Sequence, residues 1–213
     1  MEITTEEQLR AIVGHPAEMV IKKVKSALEP IHMDWLSASP MVFVATSDGA
    51  GRMDVSPKGD PPGKVVHVVD EHTIVIPERP GNKRVDGYLN VLANPRVGTI
   101  AIVPGRGDAL RVNGRARIVD SGEHYRGEND GRDYFDDLSV KGRRPIVALE
   151  ITVEEVFFHC AKAFLRSDLW RPETWRPDEL PTTAQMTKKL MPELDEQALE
   201  KRYSEQNYRT MLY

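Results

Sequence analysis

This chain has little of several things. It has one cysteine in 213 residues, which excludes an intramolecular disulfide and a cysteine-rich zinc site and fits a reducing compartment. That residue, Cys160, reads as a small buried hydrophobe rather than a nucleophile. No segment approaches 18 consecutive apolar residues, and the opening MEITTEEQLR lacks an apolar signal core, so the expectation is a soluble cytoplasmic protein without a membrane partner. Neither sign of charge dominates. With 29 basic against 33 acidic residues the net charge is -4, which disfavours general binding to nucleic acid or anionic membranes and makes any cationic site a local one. Catalytic signatures are also missing: no G-x-G-x-x-G follows a strand, and G-x-x-x-x-G-K-[ST], G-x-S-x-G and H-E-x-x-H do not occur. The six histidines have no metal-ligand spacing. His159 and Cys160 are neighbours on a strand and would point to opposite faces, which argues against a dyad.

What is present suffices for one ordinary domain with trimmings: 40% hydrophobic and 29% charged residues can bury a full core. Residues 1–30 read as an N-terminal helical segment. Thr4 and Glu7 match a capping box, Gly14 ends the first helix, Pro16 opens a second with the stripe Val20, Ile21, Val24 and Leu28, and Pro30 stops it. Lys22, Lys23 and Lys25 read as a solvated face. From Met41 the period becomes that of strands. Met41–Ser47 and Arg52–Ser56 predict a hairpin, Pro57–Gly63 an irregular loop, and Val65–Val69 with Thr73–Ile76 a second hairpin. A helix over about 84–93 follows, then Val97–Val103, whose apolar run implies burial on both faces. In 110–118, Leu110, Val112, Gly114, Ala116 and Ile118 alternate with Arg111, Asn113, Arg115 and Arg117, giving one apolar and one cationic face. Residues 121–140 predict an irregular excursion, and 145–152 and 156–159 further strands. Six or seven short antiparallel strands around one helix favour a closed or split β-barrel over 31–160, leaving 161–213 as a C-terminal helical extension anchored by Trp170, Trp175 and Tyr203.

The most informative stretch is Pro77–Pro95, where a strand end, a Gly-Asn turn and adjacent cations precede a helix. Arg79, Asn82, Lys83 and Arg84 can aim donors at one anion, and a phosphate suits them, with the first helix amides adding unpaired N–H groups. The plain alternative is a solvated basic turn. Lys162 and Arg166, four apart, could likewise face an anion or simply be a surface pair.

In order and spacing these pieces resemble the pyridoxamine 5'-phosphate oxidase-related family of FMN-binding proteins. The resemblance runs through FVATSDGAGRMDVSPKGD (43–60), IPERPGNKR (76–84), LANP (92–95), VGTIAIVPG (97–105), LRVNGRARIV (110–119) and FHCAKAFLRSDLW (158–170). It implies a mainly β fold with flanking helices, a split β-barrel, assembled as a homodimer with FMN at the subunit interface. Met53, Asp54, Val55, Ser56 and Pro57 would lie along the isoalloxazine. Ile76, Pro77, Arg79, Asn82, Lys83 and Arg84 would hold the ribityl chain and phosphate, while Arg111, Asn113, Lys162, Arg166 and Trp170 would cross from the partner. The oxidases of the family carry R-x-V-L-L-K where this chain reads RMDVSPK, and the terminal R-x-H is not evident, so FMN binding is carried over further than pyridoxamine oxidation. The function expected is an FMN-dependent oxidoreductase transferring hydride through flavin N5 to an unknown small-molecule substrate. The alternative is a non-catalytic flavin carrier, or a carrier of deazaflavin or haem. A single-strand nucleic-acid module is disfavoured, because the Arg111, Arg115, Arg117 face has no stacking aromatics.

Overall fold

A computed structural model describes residues 2–121 and 134–213. Helix α1 (Glu6–Val13) is capped one residue later than expected: the Thr5 hydroxyl accepts from the Gln8 amide, and Gly14 ends the helix at φ 80°. The stripe that follows forms only one turn, α2 (Glu18–Lys22). The chain then runs extended, with Lys25 bridging to Val156, and Pro30 opens the next helix, α3 (Pro30–Ala38), instead of stopping the previous one. Proline suits either role, since it tolerates the first helical turn, where no amide partner is needed. The lysines between are anchors: Lys23 donates to the Phe158 carbonyl at 2.7 Å, and Lys25 pairs with Glu29.

Strands β1 (Met41–Ser47), β2 (Met53–Gly59), β3 (His67–Asp70) and β4 (Thr73–Pro77) precede α4 (Asp86–Ala93); β5 (Arg96–Ile102) and β6 (Ala109–Asp120) come next, then α5 (Tyr134–Asp137) and β7 (Val147–His159). All pair antiparallel in one seven-stranded sheet of order β2-β1-β5-β6-β7-β4-β3. The sheet curls but does not close by hydrogen bonds, because β2 and β3 are both edges. Two expected breaks are absent. The segment expected as a proline-rich loop begins as strand, since β2 continues through Pro57 to Gly59; an edge strand accepts a proline whose missing N–H faces away from the ladder. The two final strands are a single β7 of 13 residues. It pairs with β6 across a bulge at Asn113/Gly114, where a Cβ on Gly114 would collide with the Thr152 carbonyl.

The main core lies inside the curl, where Trp35 and Leu36 of α3, Val42 and Val44 of β1, Val97 and Ala101 of β5, Leu110 and Val112 of β6, and Tyr88 and Val91 of α4 are buried. A second cluster packs Val75, Val119 and Ala148 against Tyr134, Phe135 and Leu138. The expectation that β5 is buried on both faces does not hold within one chain: Ile100 is 41% exposed, beside Phe43 at 38%. Cys160 is exposed, in the short connection from β7 to α6 (Lys162–Ser167). Two 3-10 turns (Pro172–Thr174 and Pro177–Glu179) and helices α7 (Thr183–Leu190), α8 (Glu196–Tyr203) and α9 (Glu205–Thr210) follow. The Trp170 indole donates across to the Arg106 carbonyl between β5 and β6, whereas the Trp175 indole donates locally to the Leu169 carbonyl. Among the described residues no helix is long and apolar enough to cross a membrane. The greater part of the expected 121–140 excursion lies outside the described residues.

Candidate cofactor site

Edge strand β2 and the segment leaving β4 face one another across a groove. Side chains of β2 alternate, so Asp54, Ser56 and Lys58 are half-buried while Met53, Val55, Pro57 and Gly59 are exposed. Being an edge, β2 also has backbone N–H and C=O groups without ladder partners on its free side. Across from it, Glu78 accepts a 2.6 Å ion pair from Lys58, whose ammonium lies 5.5 Å from the centre of the Tyr88 ring. Two contiguous cavities occupy the groove and share Ser56, Pro57, Lys58, Glu78 and Asn82. The smaller, about 230 Å³, reaches Asp54, Arg84, Asp86 and Tyr88. The larger, about 950 Å³, runs past Pro77, Arg79 and Gly81 to the last helices.

The turn at the end of the smaller cavity is strained. Lys83 and Val85 take left-handed backbone angles, φ 63° and 49°, and Arg84 between them does not. For β-branched Val85 this costs on the order of 1–3 kcal/mol, the kind of local strain that accumulates at ligand clamps. The Asn82 side-chain oxygen accepts the Arg84 amide at 3.0 Å and fixes the turn, and no side chain caps the start of α4. Asp86 pairs with the Arg84 guanidinium at 2.7 Å, and this bond holds the Arg84 pKa above its ordinary value. Asp54 stands over the same helix end: a Cβ on Gly87 would lie 3.4 Å from its Oδ2. Two carboxylates therefore take the positive end of α4, and Lys83 has no ion pair among the described residues.

Arg79 has a different occupation from the one expected. Its Nε meets Asp60 Oδ2 at 2.6 Å and its Nη2 donates to the Leu138 carbonyl at 2.7 Å, while the Asp60 side chain is only 4% exposed. The guanidinium thus satisfies a buried carboxylate in the groove wall. Tyr88 does the reverse, for its hydroxyl is buried against the smaller cavity without a hydrogen-bond partner. Burial first, and then the neighbouring Glu78 carboxylate, push the phenol pKa far up, so the group remains a proton donor.

Within one chain the groove gathers Asp54, Val55, Ser56, Pro57, Pro77, Arg79, Asn82 and Arg84. The Ile76 side chain is in the core with no exposure, leaving only its backbone near the site. Met53, 67% exposed, and Lys83 line neither cavity. Arg111, Asn113, Lys162, Arg166 and Trp170 line neither cavity. Arg111 lies over the Phe157 ring at 4.9 Å, Asn113 donates to Glu155 at 2.7 Å, and Trp170 stacks on Phe164. On the same strand face Arg117 pairs with Glu150 at 2.6 Å, and on neighbouring β5 Arg96 pairs with Glu154. Sequence reasoning missed Lys58, Asp60, Glu78, Tyr88 and Tyr213. Tyr88 carried a faint signal as a hydroxyl in the apolar stripe of a short helix; Tyr213, whose hydroxyl donates to Asp60 Oδ1 at 2.9 Å, carried none.

Residues 28–160 match the model of the pyridoxamine 5'-phosphate oxidase family, and the chain belongs to that family. No curated protein matches it. Among solved structures it is similar to a Lactobacillus delbrueckii protein of the pyridoxamine 5'-phosphate oxidase type, with 22% identity, coverage of 62% of this chain and 95% of that one, and a TM-score of 0.46. HupZ of Group A Streptococcus gives 19% identity, 62% and 93% coverage and a TM-score of 0.45. A protein described as an F420 reductase gives 20% identity, 62% and 98% coverage and a TM-score of 0.41.

Proposed function

We propose that this chain is a flavoprotein that holds FMN in the groove between β2 and the 78–85 turn and works as an oxidoreductase on a small molecule. The observation that carries the reading is the strained Lys83–Val85 turn at one end of a groove whose floor offers an unpaired strand edge and the orphaned Tyr88 hydroxyl. These residues fit the cofactor. Lys83 suits a phosphomonoester, with Arg84 able to exchange Asp86 for phosphate. The free backbone groups of Asp54–Pro57 suit the polar edge of a planar ring, and Tyr88 has a proton to donate. Bound FMN would supply hydride exchange at N5, and the protein would supply position and electrostatics.

The active form in this reading is a homodimer. Pro57, Phe43, Ile100, Arg111 and Phe157 lie opposite one another on five successive strands, forming a row on the outer sheet face that a second copy would cover. Covering it would bring Arg111, Asn113, Lys162, Arg166 and Trp170 of one chain toward the groove of the other. The reducing compartment expected of a one-cysteine chain makes the cytoplasm its setting. Pyridoxamine 5'-phosphate is not the substrate we favour, because RMDVSPK departs from the oxidase strand.

The test is the visible spectrum of the purified protein, with the mass of whatever heat releases, and an FMN titration of the Lys83→Ala/Arg84→Ala variant. We expect a flavin spectrum with the FMN mass, and a folded variant whose affinity is lower by about a hundredfold to ten-thousandfold, in line with losing two charge-assisted hydrogen bonds of about 1.5–3 kcal/mol each. A colourless protein that takes up no added FMN, or an unchanged variant, would overturn the assignment. Stoichiometric FMN that no nicotinamide or deazaflavin donor reduces would favour a carrier instead.

A further inference from the structure

We propose that the wall built by α8, α9 and the residues through Tyr213 is the substrate-selecting side of the larger cavity, and that it takes a flat aromatic monoanion. The proposal rests on the flavin reading only for what the ligand would stack against. Arg202, Tyr203, Tyr208, Met211, Leu212 and Tyr213 line the cavity opposite Ser56–Asp60 and the 77–82 segment.

The end of the wall is tied to the groove through Tyr213. Tyr213 donates to Asp60 Oδ1 at 2.9 Å while Arg79 holds the other oxygen, and its ring lies 5.8 Å from the Arg79 guanidinium and 5.5 Å from the Lys141 ammonium. Burial and the Asp60 bond both raise the pKa of the Tyr213 hydroxyl, which keeps it a donor at neutral pH. Helix α8 is seated by Leu199, 6% exposed, and capped by Asp195, which accepts the Ala198 amide at 2.8 Å.

Charge and shape then select the ligand. Among the charged groups of this cavity, Lys58 cancels Glu78 and Arg79 cancels Asp60, each pair at 2.6 Å. Arg202 has no ion pair among the described residues, so its planar fork is the cationic group of this wall suited to one carboxylate or sulfonate. The rest of the wall is aromatic and apolar, with the Tyr203 and Tyr208 rings 6.0 Å apart, and such surfaces favour flat rings. A dianionic ligand would find its second charge unmatched here.

The experiment is calorimetric titration of the full chain with 2-naphthoate and with its neutral counterpart 2-naphthamide, alongside an FMN titration of the same preparation. We expect naphthoate to bind at least tenfold tighter than the amide, Arg202→Gln to remove that preference, Arg202→Lys to restore part of it, and Tyr208→Ala to weaken both probes. Equal binding of the two probes, no binding of either, or a preference that survives Arg202→Gln in a protein with wild-type circular dichroism would overturn the proposal. FMN bound without naphthoate selectivity removes this inference and leaves the flavin reading; selectivity without FMN binding does the opposite.

Discussion

The two faces of β1 and β5 both carry large apolar residues and have opposite fates. Val42, Val44, Ala101, Leu110 and Val112, on the inner face, are each 2% exposed or less, whereas Phe43 and Ile100 on the outer face are 38% and 41% exposed, with Val55 of neighbouring β2 at 60%. Water-facing sheet surfaces normally alternate to polar residues. An outer face that keeps phenylalanine, isoleucine and valine is the one the proposed homodimer would cover, so in that reading the difference separates what folds the chain from what would assemble it.

The largest expected effect breaks the inner face. Leu110→Ala, at a position with no exposure, should cost about 2–5 kcal/mol, read as a lower midpoint in urea at constant slope. Retained stability would mean that the curl collapses around the hole. Next comes the outer face, where Ile100→Glu should leave a folded protein that runs as a monomer by light scattering and holds FMN poorly. A dimer that survives this change would move the interface elsewhere. The smallest effect concerns the rim of the core. His32 is buried, its Nδ1 accepts the Glu29 amide at 3.0 Å, and desolvation holds its pKa below the usual 6.5; burial does the same to His67. A depressed folded-state pKa means that the unfolded chain takes up the proton first. Stability should therefore be constant above pH 6.5 and decline as the pH falls below it, toward the folded-state values. A urea midpoint unchanged between pH 7.5 and 5.5 would show that these rings titrate as they do in water.

The same contrast explains how far the residues alone could be read. Hairpins, the alternating β6 and the helix after the basic turn were legible because local period and turn chemistry set them. Three things were not. Proline marks a helix start as readily as a stop, so Pro30 was ambiguous, and Pro57 reads as a breaker unless the strand is known to be an edge. The apolar run of β5 looks the same whether the second face is buried within the chain or between chains. The partners of the site cations were hidden for another reason: Arg79 finds Asp60 nineteen residues earlier and Lys58 finds Glu78 twenty later, through a fold that no local pattern announces.

Pro57 has one more effect. A free strand edge is a template on which a foreign strand can grow, and the groove depends on such an edge remaining open. Pro57 deletes one donor from it, and the next residue, Lys58, adds a charge to the row. Both make the edge a poor match for another chain while leaving its carbonyls available to a small molecule. In the proposed site, the feature that makes the edge unsuited to fibre growth is also the one that would reserve it for a ligand.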